Sequence, residues 1–205
     1  MEAVIVANAP FRFWPKVFSL VRRAPLLLAA DGGANHLAVL GVRPHFVVGD
    51  FDSLEPSVRA WVGEARLVSR PDQDHTDLEK TLEFALERGA RSITVLAATG
   101  GRLDHALENL AILGRFAGRA ACEIWDREQR ILPVLEESLF QVKEGATVSL
   151  MPLGKALRVW TKGLHWPLSG EPLDLLSRTG LSNRAVASEI FVKVEGGVLL
   201  VFLPW

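Results

Sequence analysis

The sequence predicts an N-terminal α/β domain with a parallel, doubly wound sheet, followed by a smaller all-β sandwich domain. The first two thirds alternate short apolar runs with stretches whose apolar residues recur at helical spacing. Beyond about residue 122 that spacing gives way to short strand-like segments separated by Gly, Pro, Lys and Glu. A length of 205 residues accommodates one large domain or two small ones, and no repeat, low-complexity segment or flexible linker interrupts it.

Buried parallel strands are expected at AVIVA (3–7), LLLAA (26–30), FVVGD (46–50) and ITVLAA (93–98), because strands covered on both faces read as continuous apolar runs. Helices are expected at GGANHLAVLG (32–41), TDLEKTLEFALERGA (76–90) and LDHALENLAILGRFAG (103–118). The second is the best delimited: Thr76 and Glu79 form a capping box, and Gly89 provides a stop. EIW, RILPVL, LFQV, TVSLM, LRVW, EIFVKV and VLLVFL then read as strands of the all-β domain. The boundary falls between Asp126 and Arg130, giving domains 1–127 and 128–205.

With 23 Lys plus Arg against 24 Asp plus Glu, the chain has no broad attraction for nucleic acid or anionic membranes. No apolar run approaches the roughly 18 residues of a membrane-spanning helix. The start, MEAVIVANAPFRF, lacks the basic and long apolar regions of a signal peptide, so a soluble, cytoplasmic protein is expected. A single cysteine, Cys122, excludes an intrachain disulfide and makes a thiolate zinc site implausible. In AACEIW, with no nearby His, it reads as a buried structural thiol. Any metal must then be held by oxygen.

In HFVVGDFDSL, Asp50 and Asp52 lie two residues apart at the carboxyl end of a strand, so both carboxylates project to one side. Either Asp alone would better suit a cap on the next turn, with Ser53, than a cation. RPDQDHTDLEK adds Asp72, Asp74 and Asp77 at a helix start, more acids than the macrodipole requires. Asp77 has Lys80 one turn later, so a carboxylate for a hard cation such as Mg²⁺ and an ammonium for phosphate share a face. ATGGRLDH (98–105) follows a strand and opens a helix, giving phosphate oxygens access to backbone N–H groups at Gly100 and Gly101 and to the Arg102 fork. Asp104 suits either the metal or Arg102, and His105 suits a cap, a carbonyl or the substrate. AADGGANHL repeats the strand, Gly turn and helix, with Gly32 and Gly33 permitting close approach of a nucleotide. Neither GxxxxGK[ST] nor GxGxxG occurs, so phosphate recognition is built differently. The pattern points to Mg²⁺-dependent phosphoryl transfer from a nucleoside triphosphate.

With GDFDS, PDQDHTD and TGGRLDH in this order, and GLHW and GLSN in the following β domain, the chain closely resembles the thiamine pyrophosphokinase family over almost its whole length. The resemblance implies an α/β nucleotide domain, a β-sandwich, a homodimer, and transfer of the pyrophosphoryl group of ATP to thiamine with release of AMP. It assigns Mg²⁺ to Asp50, Asp52 and Asp77 and lines the nucleotide phosphates with Asp104; these four acids are the expected catalytic residues, and in an in-line transfer one of them, such as Asp77 or Asp104, accepts the hydroxyl proton. It places Asn8, Asp31, Gly32, Lys80, Thr99, Gly100, Arg102 and His105 on ATP. Gln73, Trp166, Ser182 and Asn183 match positions of the thiamine pocket, which in the family lies across the dimer interface. Thiamine carries a permanent thiazolium charge and a flat pyrimidine, which suit an aromatic platform such as Trp166. From the residues alone, Trp166 reads as a β-domain core residue before it reads as a ligand platform, and GLSN suits a turn.

Two rival readings stand beside this one. VVGDFDS superficially matches the nucleophilic DxDx[ST] of haloacid dehalogenase-type phosphatases, but there the motif ends the first strand, whereas two strand-like segments precede it here. A non-catalytic sensor of nucleotide or thiamine is the other.

Overall fold

The aliphatic runs of the first half form β1 (Glu2–Val6), β2 (Leu26–Ala30), β3 (Phe46–Gly49), β4 (Leu67–Ser69), β5 (Ser92–Leu96) and β6 (Ala121–Trp125). The computed structural model describes residues 1–205 and divides into two units, Met1–Ile112 with Arg119–Arg127 and Leu113–Gly118 with Glu128–Trp205. The helices between these strands are α1 (Pro15–Arg23), α2 (Gly33–Val39), α3 (Pro56–Val62), α4 (Asp77–Glu87) and α5 (Leu103–Phe116).

In the first unit all strand pairs are parallel, in the order β6-β5-β1-β2-β3-β4. The order reverses between β1 and β5, so the segments leaving their carboxyl ends diverge and open a crevice. Helices cover both faces. On one, Val17, Val21, Leu37, Val58 and Val62 of α1, α2 and α3 pack with Val4, Val6, Leu27, Ala29 and Val47. On the other, Phe84 of α4 meets Phe46 edge-on at 5.3 Å, and Phe46 pairs with Leu28, whose side chain points away from those of Leu27 and Ala29. β2 is therefore buried along its whole length. Each such aliphatic side chain contributes roughly 1.5–3 kcal/mol by leaving water.

The expected strands at 3–7, 26–30, 46–50 and 93–98 form, as do helices within 32–41, 76–90 and 103–118. Thr76 caps α4 as expected, its Oγ1 accepting the Glu79 N–H at 3.2 Å, and Gly89 follows with φ +82°. EIW is a correction: it belongs to β6, which pairs in parallel with β5, rather than to the all-β domain. Glu123 gives this strand an alternation that mimics a one-sided β-strand. α1, α3 and β4 were not anticipated. The two helices are short and each buries only a pair of valines, Val17 with Val21 and Val58 with Val62, although Pro15 and Pro56 at their first turns are regular start signals.

The second unit contains β7 (Gln129–Val134), β8 (Glu137–Gln141), β9 (Thr147–Pro152), β10 (Lys155–Lys162), β11 (Ser169–Asp174), β12 (Gly180–Arg184), β13 (Glu189–Glu195) and β14 (Leu199–Pro204). Two antiparallel sheets form, β12-β9-β14-β7 and β11-β10-β13-β8. Val148, Leu150, Leu199 and Val201 of one sheet share a core with Val159, Leu173, Ile190 and Val192 of the other, the sandwich expected from the sequence. β11 and β12 escaped prediction because SGEPLD and GLSNR lack apolar alternation. Cys122 is buried and its thiol is pushed up to about 11 by that burial, as suits an inert packing residue. No helix is long and apolar enough to cross a membrane.

Candidate functional site

At the switch between β1 and β5 the first unit opens into a cleft of about 810 Å³. Residues from five loop or helix-start segments line it: Asn8 and Pro10 after β1, Asp31 after β2, Asp50 and Asp52 after β3, Gln73 to Asp77 entering α4, and Gly100 to Arg102 after β5. Lys80, His105 and Asn109 reach in from α4 and α5.

The carboxylates of Asp31, Asp50 and Asp77 each place an oxygen within 4.8 Å of the others. Asp31 is 2% exposed and has φ +42°, a left-handed conformation that turns the chain sharply off β2. Its Oδ2 accepts the Ser53 N–H at 2.9 Å, whereas its buried Oδ1 has no hydrogen-bond partner. Burial pushes the Asp31 carboxyl up to about 6; the Ser53 N–H opposes this, and Asp52 and Asp77 add to it. Burial also raises the Asp77 carboxyl, against the pull of Lys80. Asp50 is held low, chiefly by the Gln73 amide, whose Nε2 donates at 3.0 Å, and next by the Asp52 N–H. Phe51, at φ +70°, turns the chain between Asp50 and Asp52. The Asp52 carboxylate accepts the Ser53 hydroxyl at 2.9 Å and lies outside the tightest trio of oxygens.

Carboxylates, cationic side chains and a glycine loop thus share one space. Lys80 is 8% exposed, with its Nζ 3.2 Å from Asp77 Oδ1. Arg102 makes a two-point bridge to Asp104 at 3.1 and 2.6 Å, and this pairing holds the Asp104 carboxyl down at about 2. Gly100 and Gly101 have φ of +90° and +63°, and a side chain at Gly101 would run into Pro10. A side chain at Gly32 would likewise collide with Asn8. Thr99 hydrogen-bonds Asp126 through its hydroxyl.

Of the residues expected at the site, Asn8, Asp31, Asp50, Asp52, Gln73, Asp77, Lys80, Gly100, Arg102 and His105 line this cleft. Trp166, Ser182 and Asn183 belong to the second unit. There Trp166 is 60% exposed, and Asn183 is buried against its backbone.

Several contributors were not read from the sequence. Asn35 of α2 holds the loop after Asp52, donating to the Ser53 carbonyl at 2.9 Å and accepting the Glu55 N–H at 3.1 Å. Asn109, buried on α5, donates to the Ala98 carbonyl at 2.8 Å and so anchors the loop that carries Gly100 and Gly101. Gly49 lies against the acids: a Cβ there would sit 2.9 Å from the Asp31 Cβ and 3.1 Å from Asp77 Oδ1. The Gly in VVGDFDS was the available signal. Gly49→Ala, strained at φ +156° and displacing the Asp31 and Asp77 carboxylates, is expected to cost roughly 1–3 kcal/mol of stability and to weaken divalent-cation binding roughly tenfold or more. Calorimetric Mg²⁺ titration checks this, and an unchanged affinity would remove Gly49 from the site's construction.

Two family models match the chain: one described as "Thiamin pyrophosphokinase, catalytic domain" over residues 17–125, and one as "Thiamin pyrophosphokinase, vitamin B1 binding domain" over residues 133–199. Thiamine pyrophosphokinase of Bacillus subtilis is 27% identical over 203 residues, which cover 96% of this chain and 95% of that one. Thiamine pyrophosphokinase 1 of Oryza sativa subsp. japonica is 30% identical over 211 residues, covering 88% and 79%. The crystal structure of the Bacillus subtilis enzyme matches with a TM-score of 0.86 at 25% identity, over 100% of this chain and 99% of that one.

Proposed function

The chain belongs to the thiamin pyrophosphokinase family, an enzyme family that forms thiamine diphosphate, and we propose that it does so by Mg²⁺-dependent in-line transfer of the pyrophosphoryl group of ATP to the thiamine hydroxyl, releasing AMP. The observation that carries the proposal is the meeting of Asp31, Asp50 and Asp77 oxygens within 4.8 Å, in the cleft that also holds Lys80 and the Gly100–Gly101 loop.

The donor set fits a small, hard cation: all ligands are carboxylate oxygens, and the buried Asp31 Oδ1 lacks a partner. Asp50, Asp52 and Asp77 would hold Mg²⁺, with Asp31 supplying a further oxygen. The chemistry that a bound Mg²⁺ would supply is Lewis-acid neutralisation of phosphoryl charge beside these carboxylates. Lys80 and Arg102 present cationic donors to the phosphates, and Asp104 holds the Arg102 fork in one orientation. The backbone N–H groups at Gly100 and Gly101 add donors that need no reorganisation. Asn8, Gly32, Thr99 and His105 complete the ATP site. Gln73, tied to Asp50, stands where the acceptor meets the cation site. The attacking hydroxyl displaces AMP directly, its proton passing to an acid of the cluster, and no side chain is phosphorylated.

For the acceptor, residues 128–205 form the thiamine-binding and dimerisation domain and residues 1–127 the catalytic one. Trp166, with Ser182 and Asn183, builds a thiamine pocket completed in a homodimer. The exposure of Trp166 supports this, since a core Trp would be covered. A cytoplasmic location is part of the same reading.

The test is direct. Purified protein with ATP, Mg²⁺ and thiamine is expected to yield AMP and thiamine diphosphate in equal amounts. Thiamine binding without AMP would replace the enzyme by a sensor, and a covalent phosphate on Asp50 would restore the phosphatase reading.

A further inference from the structure

In the second unit the polar side chain of Asn183 is buried, at 6% exposed. Its Oδ1 accepts the Trp166 N–H at 3.1 Å and its Nδ2 donates to the Trp166 carbonyl at 2.7 Å. The same Oδ1 accepts the Arg184 N–H at 2.8 Å. A carboxamide offers two acceptor sites and two donor hydrogens, and three of these four are spent on backbone.

The amide imitates a peptide group. The segment 163–166 pairs with 184–186 through the Leu164 to Ala185 bridge, with the His165 N–H on the Arg184 carbonyl at 2.8 Å and the Val186 N–H on the Gly163 carbonyl at 2.8 Å. Asn183 adds a further rung at Trp166, where the chain turns away. A β-bulge aims it there. Gly180 pairs with Leu150 and Asn183 with Val148, so β12 fits one extra residue against β9. Ser182 absorbs it at φ +57°, its N–H donating to Ser149 Oγ at 3.0 Å. Trp166 itself stays 60% exposed, its ring edge-on to His165 at 4.5 Å.

We propose that Asn183 is a positioning residue of the acceptor site: it fixes the backbone of Trp166, and thereby the ring, and does not touch thiamine. This rests on the reading of Trp166 as the thiamine platform. The Ser182 bulge and the Asn183 clamp form one device, in which a strand irregularity holds an exposed aromatic side chain in a single orientation before the ligand arrives.

A double-mutant cycle on the full chain tests it, with Trp166→Ala, Asn183→Ala and the double variant, reading thiamine KM, ATP KM and kcat. Each single variant is expected to raise thiamine KM roughly tenfold, in line with loss or misplacement of a cation–π contact, and to leave ATP KM unchanged. In the Trp166→Ala background, Asn183→Ala is expected to add less than about twofold, because the group it positions is already gone. Multiplicative effects overturn the proposal, since they require an independent contact with thiamine. A change in ATP KM or kcat as large as that in thiamine KM also overturns it, as general damage to the fold. An unchanged thiamine KM in Trp166→Ala removes the platform reading itself, and the proposal with it. Asn183→Asp, which keeps the acceptor oxygens and loses the donor, serves in the same cycle should the alanine variant not fold.

Discussion

Asp77→Asn is expected to lower the rate of AMP formation by roughly 10³-fold or more while the chain keeps its fold, because a group that stabilises transferring phosphate is lost without a change of shape. Asp77 occupies the first position of α4, so the carboxylate that faces those of Asp31 and Asp50 also sits at the positive end of the helix and 3.2 Å from Lys80. Asparagine keeps the volume and removes the charge. The buried Lys80 ammonium keeps an acceptor in the amide oxygen but loses the opposite charge beside it. Asp52→Asn is expected to abolish turnover as well, although its carboxylate bonds the Ser53 hydroxyl rather than joining the tightest trio. AMP release across a Mg²⁺ titration, with circular dichroism for the fold, checks both. Near-normal activity in either variant at saturating Mg²⁺ would take that residue out of the metal set.

The parts of the site that were legible in the sequence are those whose chemistry is local. Asp50 and Asp52 end one strand, Asp77 and Lys80 begin one helix, and Gly100 to Arg102 join a strand to a helix. Spacing alone brings each group together. The rest depends on which strands become neighbours. Asp31 meets Asp50 only because β2 and β3 pair, and it meets Ser53 across 22 residues of chain. Gly49 reads as an ordinary strand-end glycine until Asp31 and Asp77 are seen against its missing side chain. The clamp of Asn183 on Trp166 needs both the sandwich register and a bulge, and no local periodicity encodes either. In the fold the same division holds: the uniform run LLLAA was plain, while SGEPLD and GLSNR became strands through pairing that their composition does not advertise.

The buried carboxyl at Asp31 yields the second large expectation, which concerns stability rather than rate. In the cation-free protein its pKa stands at about 6, against 3.8 for the unperturbed group. From about pH 4 to pH 6 the unfolded chain releases this proton while the folded chain retains it, so the folded state binds more protons and stability falls as pH rises. Asp77, raised for the same first reason, acts in the same direction, whereas Asp50 is lowered and loses its stabilising contribution only at more acid pH. Asp31→Asn removes the penalty. Without divalent cation, the variant is expected to be more stable than the wild type by about 1–3 kcal/mol above pH 7, with the gain vanishing near pH 4. Mg²⁺ reverses the comparison, since a cation that binds the ionised cluster stabilises the wild type and leaves the variant with one oxygen charge fewer to offer. Thermal melts of both proteins with EDTA and with Mg²⁺, at about pH 4.5 and pH 8, bracket the window. A difference between wild type and variant that ignores both pH and Mg²⁺ would mean that the Asp31 carboxylate carries neither the burial penalty nor the cation. A pH-dependent difference that changes sign on adding Mg²⁺ would tie the burial cost of the Asp31 carboxylate, whose Oδ1 has no partner in the free cleft, to an ion bound there.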